Sequence, residues 1–254
     1  MVTAYFIGAG PGDIELLTLK AVKIIRKADV IIYAGSLIDK GILRLARKNI
    51  SVYDSSRMNL DEICRVFKKA HEKDKVIARI HSGDPSIYGA IGEQMDFCDK
   101  ENIRYEVIPG VSSFQAAAAS LKREFTSAGI SQTIILARIS GRTKVMQKED
   151  LAALSKHKAT MAIFLSIQHI RDVVDKLRQG YPADTPIAVV EKVSLPDERK
   201  ILGNLTDIVQ KVEQAGIKRQ ALIIVGDVLA GQGREKSKLY DKNFEHGFRK
   251  ISGV

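Results

Sequence analysis

Apolar residues fall in short runs separated by stretches of helical spacing, and the two kinds alternate along most of the chain. Val2 to Ile7 reads as a buried strand. Leu17, Ala21, Ile24 and Ala28 recur at helical intervals within a helix over Ile14 to Ala28, and Val30 to Tyr33 reads as a second strand. The alternation continues. It predicts a helix near Leu37 to Ala46, a strand at Ile50 to Tyr53, a helix from Leu60 to His71, a strand from Val76 to His81, a helix from Ile87 to Cys98 and a strand from Tyr105 to Ile108. Strands regularly joined through helices predict an α/β fold with a mainly parallel sheet.

Pro109-Gly110-Val111-Ser112-Ser113 leads into an alanine-rich helix ending near Leu121, and the polar stretch from Lys122 to Ser131 reads as a boundary. A second half follows. Its strands are expected at Thr133 to Ile139, Thr160 to Leu165, Ile187 to Val193 and Leu222 to Val225, with helices near Asp150 to His157, Ile167 to Gln179 and Thr206 to Ala215. Ser194-Leu195-Pro196-Asp197 has the composition of a hairpin turn, and Glu198 to Leu205 reads as an extra strand, so this second sheet is expected to be mixed. The expected organisation is an N-terminal α/β domain over residues 1–121, a C-terminal α/β domain over 131–230 and a tail over 231–254.

Composition narrows the classes of function. A length of 254 residues accommodates one large domain or two of ordinary size. The opening MVTAYFIGAG carries no basic n-region, and no apolar run approaches the roughly 20 residues of a membrane span, which predicts a cytoplasmic enzyme with no membrane partner. Cys64 and Cys98 form no CxxC pair and read as reduced core or helix residues. Histidines at 71, 81, 157, 169 and 246 lack the spacing of a zinc site, so no protein-bound metal is expected. The formal charge of +10 favours anionic partners. Basic residues are scattered, with no K/R block interleaved with aromatics, which favours an acidic small molecule over nucleic acid.

The chemistry is expected in three loops that follow strands of the first half: Gly8 to Asp13 (GAGPGD), Ser82 to Gly89 (SGDPSIYG) and Pro109 to Ser113 (PGVSS). The first opens like a dinucleotide fingerprint but fails in detail. Asp13 stands where the third glycine of G-x-G-x-x-G belongs, Pro11 removes a backbone donor, and the second strand ends Tyr33-Ala34-Gly35 without an acidic residue to hold a ribose. A Walker A sequence and a G-x-S-x-G elbow are also absent, which sets aside phosphoryl transfer and serine hydrolysis. In the second loop Gly83 permits close backbone approach, Pro85 fixes φ for a following helix, and Asp84 either caps that helix or accepts a hydrogen bond from a ligand. Small residues with one polar group per loop suit a neutral or cationic ligand held by backbone and shape. S-adenosyl-L-methionine is such a ligand, with a positive sulfonium and no phosphate.

At these loops the chain resembles the tetrapyrrole methylase family, whose marks are a GxGPGD loop after the first strand, a GDP loop after a later one and a PG[VI][ST] turn. The likeness spans nearly the whole chain. Four further segments narrow it to members that methylate C-11 of precorrin-4 or cobalt-precorrin-4 in cobalamin synthesis: Tyr33 to Leu37 (YAGSL), His81 to Ala90, Gln132 to Leu136 with Gly141-Arg142-Thr143, and Ser237 to Asp241. Ala34 stands where uroporphyrinogen III methyltransferases of the family carry an aspartate. Relatives acting on ribosomal RNA or a diphthamide precursor share the GPGD and GDP loops and form the alternative class.

The resemblance implies a two-domain tetrapyrrole methylase fold, S-adenosyl-L-methionine as methyl donor, an acidic tetrapyrrole as acceptor and a homodimer. Carried over residue by residue, it implies cofactor contacts at Pro11, Ser82, Gly83, Asp84, Ile87, Ser112, Ser113, Leu165, Val193 and Ala221. Substrate contacts are expected at Tyr88, Arg138 and Arg142, the arginines matching carboxylates of the macrocycle. No catalytic residue is singled out, and any cobalt would be held by the macrocycle nitrogens rather than by the protein.

Overall fold

The structure, a computed structural model, describes residues 3–141, 143–231, 241, 244, 245 and 247–250. It divides into two units, Met1–Ala116 with Lys192–Glu198, and Ala117–Glu191 with Arg199–Val254.

The first unit holds five strands, β1 (Ala4–Gly8), β2 (Val30–Tyr33), β3 (Ser51–Asp54), β4 (Ile77–His81) and β5 (Tyr105–Ile108), all parallel in the order β3-β2-β4-β1-β5. Its helices are α1 (Leu19–Lys27), α2 (Leu60–His71) and α3 (Gly92–Lys100). The chain leaves β1 past β4 to reach β2, and leaves β4 past β1 to reach β5. Right-handed crossovers in opposite directions put α1 on one face of the sheet and α3 on the other. Alternating side chains fill both faces: Ile7, Ile31 and Ile80 pack with Ala21 and Ile25 of α1, whereas Phe6, Ile32 and Ile77 pack with Phe67 of α2 and Cys98 of α3. Burial on both faces is why the inner strands β1 and β2 read as apolar runs, whereas the edge strand β3 is largely exposed. It also accounts for the cysteines, which are free and buried, with burial pushing the Cys98 thiol up to about 12.

Helix α4 (Ser113–Leu121) carries the chain from the first unit into the second. There β6 (Ile134–Arg138), β7 (Thr160–Phe164), β8 (Pro186–Glu191), β9 (Arg199–Asn204) and β10 (Ala221–Val225) pair in the order β6-β7-β10-β8-β9. β6 and β7 are parallel and the remaining pairs antiparallel, so this sheet is mixed as its sequence predicts. Helices α5 (Leu151–Ser155), α6 (Ile170–Leu177) and α7 (Ile208–Gln214) bury Leu151, Val173, Leu177, Ile208 and Val212 against Met161, Ile163, Val189 and Ile223.

In the first unit three expected helices differ, each for a local reason. The helix over Ile14 to Ala28 breaks into a 3-10 turn, Ile14–Leu16, and α1; Asp13 caps the turn at the Glu15 N–H, and Thr18 caps α1 at the Ala21 N–H. The segment near Leu37 to Ala46 is a 3-10 helix, Lys40–Leu45, whose glycine and short span do not sustain a full α-helix. The helix expected from Ile87 starts only at Gly92, because Tyr88 and Ala90 take left-handed φ values of 55° and 49°. Pro85 therefore opens a tight turn rather than a helix, at the carboxyl end of β4.

Candidate functional site

Neighbouring strands whose crossovers depart in opposite directions open a crevice at their carboxyl ends, and in the first unit these neighbours are β1 and β4. The register brings three loops there together. Gly8 pairs with His81 and Ile7 with Ile108, so GAGPGD, SGDPSIYG and PGVSS leave the sheet at nearly one level.

Backbone atoms then lock the loops to one another. Gly83 N–H donates to Gly10 O at 2.7 Å, and Gly10 N–H returns a bond to Gly83 O at 3.2 Å. Gly8, Gly83 and Gly110 approach so closely that a Cβ on Gly8 would lie 2.6 Å from Gly110 Cα and from Gly83 O, and one on Gly110 would lie 2.2 Å from Gly83 O. Only glycine fits at positions 8 and 110. At Gly83 the requirement is conformational, since its φ of 64° is left-handed and an added Cβ would meet Ser112 only at ordinary contact distance.

Asp84 ties two of the loops together through its carboxylate. Oδ1 accepts from the Ser86 N–H at 2.8 Å and from the Ser86 hydroxyl, while Oδ2 accepts from the Gly110 N–H at 2.9 Å. Partial burial raises its pKa, but the bonds from Ser86 and Gly110 outweigh it and hold the carboxyl below its usual range. The group is thus an anion at neutral pH, half-buried in a site whose three loops contain no lysine or arginine. Of the two roles open to Asp84 in the sequence, the helix cap is not formed; its carboxylate accepts hydrogen bonds as a clasp between the second and third loops.

The remaining first-unit residues expected to contact a cofactor fall on the same three loops. Pro11, Ser82, Ile87 and Ser113 are half-buried and Ser112 is buried. Tyr88 is 43% exposed on the left-handed turn beyond Pro85. Val193 is buried and belongs to the first unit, although the strand it follows, β8, belongs to the second.

In the second unit, Arg138 ends β6, Leu165 follows β7 and Ala221 opens the antiparallel β10, so all three lie at one edge of that sheet. Leu165 is 65% exposed with a left-handed φ of 54°. Ala221 is half-buried and packs against the core. The Arg138 guanidinium bonds to the Thr143 carbonyl at 3.0 Å and the Lys144 carbonyl at 3.3 Å, holding the turn after β6. Arg142 lies outside the described residues, as do residues 237–240 of the expected tail mark.

The supports of these loops have no signature in the loop sequences themselves. Gly8 and Gly110 were visible as loop residues, but their mutual contact depends on the register of β1 and β5. Asp54, which no motif singles out, accepts from the N–H groups of Gly35 and Ser56 and pins the YAGSL segment to the end of β3. Beneath that segment Arg79, 6% exposed, donates to Gln94 Oε1 at 2.9 Å and to Ser55 Oγ at 3.0 Å; these partners are neutral, and burial pushes the guanidinium down to about 10. His81 is also buried, with Nε2 lacking a hydrogen-bond partner among the described residues. Burial first, then the Arg79 charge, drive its pKa down to about 3 against a hydrogen bond with the Gly89 backbone.

Two outcomes follow from this packing. Gly110→Ala forces a Cβ into Gly83 O and lowers the unfolding free energy by about 2–3 kcal/mol, read from urea denaturation; an unchanged midpoint contradicts the close approach. His81 is neutral when folded and takes a proton more readily when unfolded, so its contribution is complete above its ordinary pKa of 6.5 and is lost as pH falls toward about 3. The linkage predicts about 2 kcal/mol less stability from this group at pH 5 than at pH 7.5. His81→Phe removes that difference, and an identical pH slope in the variant and the parent contradicts the assignment.

Comparison with known proteins agrees with this geometry. Residues 3–209 match the family model described as tetrapyrrole (corrin/porphyrin) methylases. The chain is 53% identical over 245 residues to a cobalt-precorrin-4 C(11)-methyltransferase of Methanocaldococcus jannaschii, covering 96% of this chain and 95% of that protein. It is 43% identical to a precorrin-4 C(11)-methyltransferase of Pseudomonas aeruginosa, covering 98% and 99%. Among solved structures, a cobalt-precorrin-4 methyltransferase superposes with a TM-score of 0.87 at 38% identity, covering 89% of this chain and 95% of that one. A uroporphyrin-III C-methyltransferase from Thermus thermophilus, complexed with S-adenosylhomocysteine, superposes with a TM-score of 0.76 at 26% identity, covering 90% and 99%. Interlocked glycine loops at the carboxyl ends of β1, β4 and β5, together with these matches, place the chain in the tetrapyrrole (corrin/porphyrin) methylase family.

Proposed function

We propose that this protein transfers a methyl group from S-adenosyl-L-methionine to C-11 of precorrin-4 or cobalt-precorrin-4 in the building of the corrin ring. The observation that carries this reading is the set of three loops, the second and third clasped by Asp84 and the first bridged to the second through Gly10 and Gly83, which combines close backbone approach, an ionised carboxylate and no basic side chain. Such a cradle suits a cationic sulfonium and its ammonium group and disfavours a phosphate. Relatives named for this reaction match nearly end to end, which supports the choice of acceptor.

S-adenosyl-L-methionine, when bound, supplies a methyl group on a positive sulfur for in-line displacement by an electron-rich ring carbon. The protein's task is placement. Pro11, Ser82, Gly83, Asp84, Ile87, Ser112 and Ser113 would seat the donor from the first unit, and Leu165, Val193 and Ala221 complete the proposed contact set. Holding the reacting atoms in line contributes roughly 7–11 kcal/mol of barrier lowering, so no strong acid or base is required of the loops. Tyr88, Arg138 and Arg142 are assigned to the acidic macrocycle, and the charge of +10 favours its approach.

We place the protein in the cytoplasm as a homodimer, without nucleic acid or membrane among its partners. Among the described residues no helix is long and apolar enough to cross a membrane, and no group of three or more His, Cys, Asp or Glu side chains is arranged to hold a metal ion. Any cobalt belongs to the substrate.

The decisive assay is anaerobic incubation with methyl-labelled S-adenosyl-L-methionine and either precorrin-4 or its cobalt form, read by mass and carbon NMR. Label is expected at C-11; donor binding without methylation of either macrocycle overturns the acceptor assignment. Asp84→Ala is expected to weaken S-adenosylhomocysteine binding at least about tenfold in calorimetry, because hydrogen bonds to a charged group are lost at the clasp. An unchanged dissociation constant removes Asp84 from the donor site.

A further inference from the structure

The turn between β8 and β9 does more than close a hairpin. Its residues Lys192–Glu198 belong to the first unit, whereas the two strands belong to the second. Within the first unit this turn lies against the first glycine loop. The Asp13 N–H donates to Ser194 Oγ at 3.0 Å, joining positions 181 residues apart. Next to that bond Leu195 packs on Gly12 so closely that a Cβ there would lie 2.7 Å from Leu195 Cγ.

The turn is built to hold this pose. Ser194 sits at a left-handed φ of 67°, and Lys192 at 50°. The Ser194 N–H donates to Glu198 Oε2 at 2.8 Å, the Leu195 N–H to the Lys192 carbonyl at 3.0 Å, and Lys192 pairs with Asp197. Serine is an uncommon choice for a left-handed position that glycine would occupy without strain. The hydroxyl supplies a reason: it is the acceptor for Asp13, and glycine has none.

We propose that Ser194 and Leu195 are positioning residues for the methyl donor, acting through the GAGPGD loop. One side of that loop is fixed by the Gly10–Gly83 backbone bridge, and the β8–β9 turn fixes the other. The Asp13 carboxylate is engaged with the Glu15 N–H, so its backbone N–H is the group through which the turn sets the loop. The inference rests on the methyl-donor reading of the three loops and adds to it a control point outside them.

Ser194→Gly separates positioning from plain structural support. Glycine relieves the left-handed backbone while deleting the hydroxyl, so the thermal midpoint is expected to hold or rise. The dissociation constant of S-adenosylhomocysteine, measured by calorimetry on the full chain, is expected to rise about three- to tenfold. KM for S-adenosyl-L-methionine should rise by a similar factor while KM for the tetrapyrrole stays unchanged. Leu195→Ala, which uncovers Gly12, should weaken S-adenosylhomocysteine in the same direction. If the parent binds S-adenosylhomocysteine and both variants bind it equally well, the inference is overturned and the donor reading stands. If the parent itself does not bind it, the donor reading falls.

Discussion

The absence of a side chain at Gly8 and Gly110 is the constraint on which the site depends. Each lies where a Cβ would press into backbone of a neighbouring loop, and Gly83 O is the atom both would strike. Close contact lets the Gly10–Gly83 backbone bridge form and brings the Gly110 N–H within reach of Asp84. Small residues are therefore a packing requirement first. Their second consequence is chemical, because the three loops then present backbone and hydroxyl groups with the carboxylates of Asp13 and Asp84 and no basic side chain.

The parallel sheet makes that contact possible. Opposite crossover directions from β1 and β4 keep helices away from their carboxyl ends, and matched register brings three loops out side by side. Apolar packing on both faces holds the register, since a shift of one residue would turn Phe6 and Ile7 to the wrong faces. Burial has a further price at the edge of the site, where Arg79 and His81 sit within the sheet face with depressed pKa values. Their bonds to Gln94, Ser55 and the Gly89 backbone show how β4 braces the turns around it.

Much of this was legible in the residues. Apolar runs mark most strands of both sheets, and the break in alternation at Ser194 to Leu205 marks the β8–β9 hairpin, whereas the antiparallel seat of β10 between β7 and β8 has no local mark. The three loops were recognisable as a group because each follows a strand and each is made of small residues. What escaped was tertiary. Left-handed φ at Tyr88 and Ala90, which delays α3 to Gly92, is not a preference of tyrosine or alanine. Asp84 reads either as a helix cap or as a hydrogen-bond acceptor, and only the packing of Gly110 beside Gly83 makes it a clasp. Ser194 read correctly as a turn residue, but its bond to Asp13 crosses most of the chain and has no local signature. Arg138 is expected from the sequence to meet a substrate carboxylate, and its bonds to the carbonyls of its own turn have no signature there.

The most direct test of the central claim is a crystal structure of the protein with S-adenosylhomocysteine. The account predicts density for the ligand against Gly83, Asp84 and Ser112, with its amino group near the Asp84 carboxylate. A ligand seated away from the loops that follow β1, β4 and β5 would contradict it.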